Sequence, residues 1–314
     1  MNFAILFSGQ GAQKPKMGID FMSDPIFKET IEIASDAIGS DMVTIFNSRA
    51  GELDKTINVQ PALVAFEAGI YRMLKRDLPH LNIAGMVGLS LGEYGAMFAS
   101  GALSLKDTIS LVKDRAKYMQ DDADKIASAM TALVKPDLEK INQILTTLQA
   151  QGQRVYIANY NSPKQIVISG EQVAVENANE QIKKDKAALK VVSLKVNGAF
   201  HTPLFNTASQ KMHDRLKNVQ FKENTIPVIS NTTQKPFAGD WGQVMAHQLA
   251  EPTHFGDCLS YLVKNYEANA SLEIGPGKAL SSFAKQVDRR LTRYKIGTFE
   301  EYQEFLEQMD ELNK

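Results

Sequence analysis

The heptapeptide GLSLGEY, residues 88–94, places a serine between two glycines. This Gly-x-Ser-x-Gly spacing is typical of enzymes whose serine hydroxyl attacks an acyl carbon. The apolar segment 83–88 predicts a strand before Ser90 and the segment 93–101 predicts a helix after it. At such a turn the hydroxyl lies at a helix N-terminus, where free N–H groups and the helix dipole stabilise developing negative charge. An inert turn fits the same residues, because glycine and serine are common between strands and helices.

A nucleophilic serine needs a base, and His201 is the candidate among the five histidines. The segment 188–196 predicts a strand, Gly198 a turn, and Thr202-Pro203 a helix start with an N-cap followed by proline. His201 is therefore expected between a strand end and a helix start, where α/β enzymes place ligands and reactive groups. Position alone leaves a structural role open, because a single histidine is more often structural than catalytic.

The loop FSGQGAQ, residues 7–13, follows a short strand candidate at 3–7. It does not match a phosphate-binding loop, because Lys14 stands where the Rossmann fingerprint has glycine and no Gly-Lys-Ser/Thr follows. One interpretation is a flexible loop. The other is that its backbone N–H groups lie beside Ser90 and, with the amide of Leu91, stabilise an oxyanion.

Composition and charge argue against several classes of protein. The 314 residues have a formal net charge of −1, too small for electrostatic capture of nucleic acid or an anionic membrane. The single cysteine, Cys258, cannot form an internal disulfide, so a reducing compartment is expected. No basic leader precedes the apolar run 3–7, which is far too short for a signal peptide or a membrane span. We therefore expect a soluble, cytoplasmic protein.

Two helices are predicted in the first half of the chain from the positions of a proline and a serine.

 The first is predicted to open at Pro61, because proline suits the first turn of a helix and apolar residues follow it. The second is predicted from Ser104 to about Gln120, because Ser104 and Asp107 have the spacing of a capping box.

Alternating strand and helix signals along the chain predict the α/β class. The middle of the chain has the order β-α-β-β-α-β, which is the order of a ferredoxin-like unit. We therefore predict a large α/β domain over 1–127 and 198–314, interrupted by a small ferredoxin-like domain over 128–197.

Seven motifs follow one another along nearly the whole chain: GQGAQ, GLSLGEY, LVKDRAKYMQ, NYNSPKQIVISG, VNGAFHT, HQLAEP and LEIGPGKAL. In this order and spacing they closely resemble the malonyl-CoA:acyl carrier protein transacylase family, the acyltransferases of type II fatty acid synthesis. The resemblance implies a hydrolase-like parallel-sheet domain with a ferredoxin-like insert, in agreement with the element order. It also implies ping-pong transfer of a malonyl group from malonyl-CoA to acyl carrier protein, with no metal or cofactor, by a protein expected to be a monomer.

The resemblance assigns roles to individual positions. The matching positions are Ser90 for the nucleophile, His201 for the general base, Gln10 and Leu91 for the oxyanion-hole amides, Gln248 for the backbone carbonyl that orients the histidine, and Met119 and Asn161 for the pocket lining. Phe200, beside the base, is expected to narrow the pocket next to the α-carbon of the acyl group and so to favour malonyl over branched units.

Arg115 aligns with the arginine that pairs with the free carboxylate of malonate. A planar guanidinium can hold a carboxylate through two parallel hydrogen bonds, which suits a substrate with a fixed negative charge at one end. On the predicted helix Arg115 lies one turn before Met119 and three residues after Val112, at the border of the buried face. A surface arginine with its aliphatic part packed on the helix is the alternative.

Leu89 departs from the family pattern, since many members have histidine before the nucleophile. An apolar side chain neither titrates nor donates a hydrogen bond, so we expect this change to affect the fine tuning of the site and to leave its chemistry in place. Other functions stay open: a malonyl acyltransferase that serves a polyketide synthase in trans, a thioesterase-type serine hydrolase, and a non-catalytic scaffold that binds carrier protein.

Overall fold

The structure is a computed structural model that describes residues 1–196, 198–223 and 226–312. The strands are β1 (Phe3–Phe7), β2 (Ile83–Gly88), β3 (Ser128–Pro136), β4 (Val155–Ser162), β5 (Gln165–Glu171), β6 (Ala188–Ser193), β7 (Ala270–Ile274) and β8 (Thr292–Ile296). The helices are α1 (Pro25–Ile38), α2 (Met42–Asn47), α3 (Thr56–Asp77), α4 (Gly92–Ala99), α5 (Leu105–Ala123), α6 (Leu138–Ala150), α7 (Gln172–Lys184), α8 (Asn206–Leu216), α9 (Trp241–His247), α10 (Phe255–Asn265), α11 (Ala279–Val287) and α12 (Phe299–Leu312). The predicted α/β class is confirmed.

A parallel sheet of order β2-β1-β7-β8 forms the centre of the larger part of the fold. The sequence of β1, FAILF, is apolar throughout because both faces of this inner strand are buried. Its alternate residues face two cores, one containing α3, α4 and α5 and the other containing α10 and α11. Phe7 at the end of β1 pairs with Gly88 at the end of β2, so the loops that follow the two strands emerge side by side.

A second, antiparallel sheet has the order β4-β5-β3-β6. Helices α6 and α7 cover one face of it around a separate apolar cluster. On the other face Met130 and Val167 join the main core. Strand β4 is also tied to the segment before α10, where the N–H of Tyr160 donates to the carbonyl of Thr253 at 2.7 Å. This sheet therefore packs against the same core that supports the site.

Helix α3 begins at Thr56, so the prediction that it opens at Pro61 is wrong. Proline removes one helical hydrogen bond at this position. Its neighbours Val59, Gln60 and Ala62 are all buried, so tertiary packing offsets the missing bond. The predicted start of α5 is confirmed, since Ser104 Oγ accepts from the N–H of Asp107 at 3.1 Å.

Within the described ranges, no helix combines the length and the apolar character needed to cross a lipid bilayer.

Candidate active site

Ser90 occupies the turn between β2 and α4 with a φ of 53°, an unfavourable backbone angle for a residue with a side chain. The flanking glycines are required by close backbone approach. A Cβ on Gly88 would lie 1.9 Å from the carbonyl carbon of Gly92, and a Cβ on Gly92 would lie 2.1 Å from the carbonyl oxygen of Phe7. The Gly-x-Ser-x-Gly pattern therefore reflects a sharp turn pressed against the loop that follows β1.

Two backbone N–H groups, one at this turn and one in the neighbouring loop after β1, can bind an anion. Among the described residues, the N–H groups of Gln10 and Leu91 donate to no acceptor. Leu91 directly precedes α4, whose dipole favours negative charge at that end. Gln10 belongs to the loop after β1, which reaches the same edge of the sheet. Unpaired N–H groups of this kind are what an oxyanion hole requires.

Arg115, on α5, is 1% exposed, and in the described part of the chain no carboxylate lies within 4 Å of it. Its Nη1 donates to Oε1 of Gln60 at 2.7 Å, and its Nη2 donates to Ser90 Oγ at 3.1 Å and to Oε1 of Gln248 at 3.2 Å. Its Nε is buried and has no partner among the described residues. Nε and Nη2 form one edge of the planar guanidinium, so this edge can accept a carboxylate directly beside the serine.

His201 is buried, with a φ of 60°, in the segment before Thr202, which caps the 3₁₀ turn Pro203–Phe205. Its Nδ1 lies 2.7 Å from the backbone carbonyl oxygen of Gln248. Burial, reinforced by the positive charge of Arg115, lowers the pKa of His201 to about 4. The imidazole is therefore neutral at pH 7, and because the carbonyl requires a proton on Nδ1, Nε2 is left as the basic nitrogen.

Ser90 Oγ is hydrogen-bonded to Arg115 and, within the described ranges, makes no hydrogen bond to His201. Sequence reasoning predicted a serine–histidine pair and did not predict this serine–arginine bond. A carboxylate that takes Nη2 would compete with Ser90 Oγ for the guanidinium and leave the hydroxyl free to turn toward another acceptor.

Gln248 connects these groups. Besides its backbone bond to His201 and its acceptance from Arg115, its Nε2 donates to the carbonyl oxygen of Ser90 at 3.0 Å and to Oε2 of Glu93 at 2.5 Å. The side chain is fully buried, so each of these bonds is protected from water.

Sequence reasoning missed three residues of this network: Gln60, Glu93 and Asn231. Asn231 Oδ1 accepts from the N–H of Ser90 at 3.1 Å, although the sequence suggested no role for this asparagine. Gln60 joins Arg115 to the loop after β1, since its Nε2 donates to Oε1 of Gln10 at 3.1 Å. Glu93 was detectable as a lone charge in the otherwise uncharged helix GEYGAMFA.

The other predicted residues are placed at different distances from this centre. Met119 Sδ lies 3.5 Å from Nε2 of Gln60, so it borders the Arg115 side of the site. Phe200 adjoins His201 in the chain and packs edge-on against Phe205. Asn161 lies on β4 in the second sheet, where it donates to Gln165, and no hydrogen bond joins it to the serine, the histidine or the arginine.

Leu89 packs, partly buried, beside the core that contains α10 and α11, and its N–H donates to the carbonyl of Phe7 at 3.0 Å. In the part of the chain that the structure describes, no group of three or more His, Cys, Asp or Glu side chains is arranged to hold a metal ion.

The serine turn, the two free N–H groups and the buried guanidinium are the parts of a site for acyl transfer to and from a serine. Residues 4–282 match the family model described as acyl transferase domain, and the chain is an acyltransferase. A malonyl CoA-acyl carrier protein transacylase of Bacillus subtilis (strain 168) is 34% identical over 292 residues, 92% of this chain and 91% of the relative. The chain belongs to the malonyl CoA-acyl carrier protein transacylase family.

Solved structures agree with this assignment. MCAT from Streptococcus pneumoniae has a TM-score of 0.92 and 36% identity, with 98% of this chain and 100% of that chain covered. A malonyl-transacylase in complex with its type II PKS acyl-carrier protein also has a TM-score of 0.92, at 30% identity, with the same coverage.

Proposed function

We propose that this enzyme transfers the malonyl group of malonyl-CoA to the phosphopantetheine thiol of acyl carrier protein, for fatty acid biosynthesis, through a malonyl ester of Ser90. The observation that carries the proposal is a buried arginine whose Nε has no partner among the described residues and whose Nη2 is hydrogen-bonded to a serine in a strained turn. A malonyl carboxylate on Arg115 would compensate its buried charge, which no carboxylate of the described residues contacts within 4 Å. The acyl carbonyl would then lie next to Ser90 Oγ, as proximity catalysis requires.

In the first half-reaction the bond between Ser90 Oγ and the malonyl carbonyl carbon forms as the proton of Oγ passes to Nε2 of His201. The amides of Gln10 and Leu91 hold the oxyanion. The carbon–sulfur bond then breaks, and the proton passes from His201 to the CoA thiolate. In the second half-reaction His201 takes the proton of the carrier thiol, the thiolate attacks the ester, and Ser90 leaves with that proton.

Arg115 has a second effect on the base in this scheme. Its positive charge contributes to the low pKa of His201, which makes the imidazole a weak base while the site holds no anion. A bound carboxylate offsets that charge, so the pKa of His201 rises when the correct substrate is present. Substrates without a carboxylate would meet both a serine hydrogen-bonded to arginine and a weaker base.

The direct test is intact-mass spectrometry of the protein mixed with malonyl-CoA, with and without acyl carrier protein that bears phosphopantetheine. We expect a malonyl adduct on the wild type that is discharged to the carrier protein, and no adduct on Ser90→Ala. A normal adduct on Ser90→Ala would refute the nucleophile assignment. Release of free malonate without malonyl-carrier product would instead indicate a thioesterase.

A second candidate keeps the chemistry and changes the pathway. Because a structure similar to this chain was solved with a type II PKS acyl-carrier protein, a polyketide carrier is the alternative acceptor. Comparison of malonyl transfer to a fatty acid carrier and to a polyketide carrier, at equal concentrations, would separate the two.

Several further properties complete the proposal. The β3–β6 sheet with α6 and α7 would be a ferredoxin-like domain over 128–197, inserted into a hydrolase-like domain over 1–127 and 198–314. The pocket residues Met119, Asn161 and Phe200 would contact the acyl or pantetheine part of the substrate. The enzyme would act as a cytoplasmic monomer without metal or cofactor.

A further inference from the structure

Glu93 is the second residue of α4, three positions after Ser90, and its carboxylate is fully buried. Both of its oxygens accept hydrogen bonds from N–H donors. Oε1 accepts from the backbone N–H of Asn231 at 2.8 Å, and Oε2 accepts from Nε2 of Gln248 at 2.5 Å. Both carboxylate oxygens of Glu93 therefore act as hydrogen-bond acceptors.

The two partners of Glu93 hold the serine turn from both sides. Asn231 accepts from the N–H of Ser90 at 3.1 Å and donates to the carbonyl of Gly88 at 2.6 Å. Gln248 donates to the carbonyl of Ser90 at 3.0 Å. The peptide groups before and after Ser90 are thus both fixed by side chains, which can maintain the unfavourable φ of 53° at this residue.

Gln248 also holds the candidate base, His201, and the guanidinium of Arg115. Its backbone carbonyl accepts a hydrogen bond from Nδ1 of His201, and its Oε1 accepts one from Nη2 of Arg115. A rotation of the Gln248 side chain would alter its bonds to Ser90 and Arg115 at once. Glu93 is the group that anchors the Nε2 end of this side chain.

We propose that Glu93 is a positioning residue that must accept hydrogen bonds at both oxygens, and so must be a carboxylate, for Ser90 to be acylated efficiently. The proposal rests on the proposed function, in which malonyl-CoA acylates Ser90. A protonated carboxyl group, or the amide of glutamine, would place a donor against either Asn231 or Gln248. One of the two supports of the serine turn would then be lost.

The geometry also makes the role testable by pH. Burial raises the pKa of Glu93 to about 7, against the opposing effects of the Asn231 and Gln248 hydrogen bonds and of the nearby Arg115 charge. The titratable and charged groups around Glu93 are Arg115 on α5, Tyr94 on α4, Cys258 on α10 and, through Gln248, His201. The buried Tyr94 and Cys258 have pKa values raised by burial and stay neutral near pH 7. The pKa of His201 is about 4 while the site holds no anion, and its rise on malonyl binding is shared by the wild type and Glu93→Gln, so the ratio of their rates reports on Glu93.

The experiment measures the single-turnover rate of Ser90 acylation by malonyl-CoA, by rapid quench and intact mass, for the wild type and Glu93→Gln. At pH 8.5 we expect Glu93→Gln to be about 10- to 100-fold slower, the effect of one lost hydrogen bond to a charged group, with little change in the apparent Kd for malonyl-CoA. As the pH falls through 7 toward 5.5, the wild-type rate should decline toward that of Glu93→Gln, because the protonated wild type resembles the amide. A purely structural role would give a ratio that does not depend on pH.

Glu67→Gln is the matched control, since Glu67 is also fully buried but makes no hydrogen bond to Asn231 or Gln248. Its acylation rate and pH profile should follow the wild type within about twofold. If Glu93→Gln fails to fold, the wild-type profile alone decides, and a rate that is constant from pH 6 to 8.5 overturns the proposal. Equal rates of the two proteins at pH 8.5, or a pH-independent ratio, also overturn it. Absence of any malonyl adduct on the wild type would instead refute the proposed function.

Discussion

Replacement of Arg115 should strongly lower the rate of malonyl transfer and leave the rate of acetyl transfer almost unchanged. The matched variants are Arg115→Ala and Arg115→Lys. Arg115→Ala removes both the charge and the planar set of N–H donors, whereas Arg115→Lys keeps the charge and loses the planar donors. Both variants keep the serine turn and His201 unchanged in sequence. The comparison of the two acyl groups isolates the carboxylate, which is what distinguishes malonyl from acetyl.

The expected magnitude follows from the surroundings of the guanidinium. Arg115 is 1% exposed and its Nε has no partner among the described residues, so a carboxylate on the Nε–Nη2 edge would form a buried, two-bond ion pair. Breaking such a pair by removing one partner costs about 3–5 kcal/mol. At 1.36 kcal/mol per factor of ten, Arg115→Ala should lower kcat/KM for malonyl-CoA by roughly 10²- to 10⁴-fold. Arg115→Lys should lie between Arg115→Ala and the wild type.

The assay is the initial rate of transfer from malonyl-CoA and from acetyl-CoA to the same carrier protein, at matched enzyme concentrations. Acetyl transfer should change by less than about tenfold, since acetyl has no carboxylate to lose and the Ser90 hydroxyl is no longer hydrogen-bonded to arginine. Thermal unfolding of each variant controls for folding. Equal losses for malonyl and acetyl would refute the carboxylate-binding role of Arg115.

Three further predictions concern the base and the serine turn. His201→Ala should slow acylation at pH 7 by about 10²- to 10⁴-fold in the quench assay, the usual contribution of a general base, and a rate within tenfold of the wild type would contradict this role. The pKa of His201 is lowered from 6.5 to about 4 in the folded state, so between these pH values the unfolded chain binds the extra proton. Wild-type stability should therefore rise with pH across this window by roughly 3 kcal/mol relative to His201→Gln in urea unfolding, whereas a pH-independent difference would show that the histidine is not buried in its neutral form. Asn231→Leu should lower the free energy of unfolding by about 2–5 kcal/mol, because it leaves the N–H of Ser90 and the carbonyl of Gly88 unpaired, while Thr232→Val, which removes a hydroxyl without a partner among the described residues, should change it by less than about 1 kcal/mol.

Local signals along the chain predicted the elements that carry the site. The apolar run before Ser90, the glycines on both sides of it and the capping serine at Ser104 each act through neighbours in sequence, and the structure has the expected strand, turn and helix. The predicted start of α3 was wrong because tertiary packing, and not the local signal, decides where this helix begins. Pro61 marks a helix start when only its neighbours are considered, but the buried residues around it extend the helix back to Thr56.

The hydrogen bonds of the site could not be predicted in the same way. Glu93, Asn231 and Gln248 lie far apart in the chain, and no spacing rule connects them. Asn231 is brought to this place because the segment before it runs beside β2. Val228 forms a parallel bridge with Met86, and the N–H of Ile229 donates to the carbonyl of Met86 at 3.0 Å. A misplacement of about 1 Å would break such bonds, and periodicity in sequence does not specify position to that degree.

The sequence by itself therefore determined the α/β class, the serine turn, the candidate base and the family resemblance, because these depend on residue type and order. Only the tertiary structure decided that Ser90 Oγ is hydrogen-bonded to Arg115, that the Nε of this arginine has no partner among the described residues, and that Glu93 accepts hydrogen bonds from both Asn231 and Gln248. The physical reason is that a hydrogen bond depends on distances and angles between groups on different elements. Those distances are set by sheet register and core packing, which the chain acquires only when it folds.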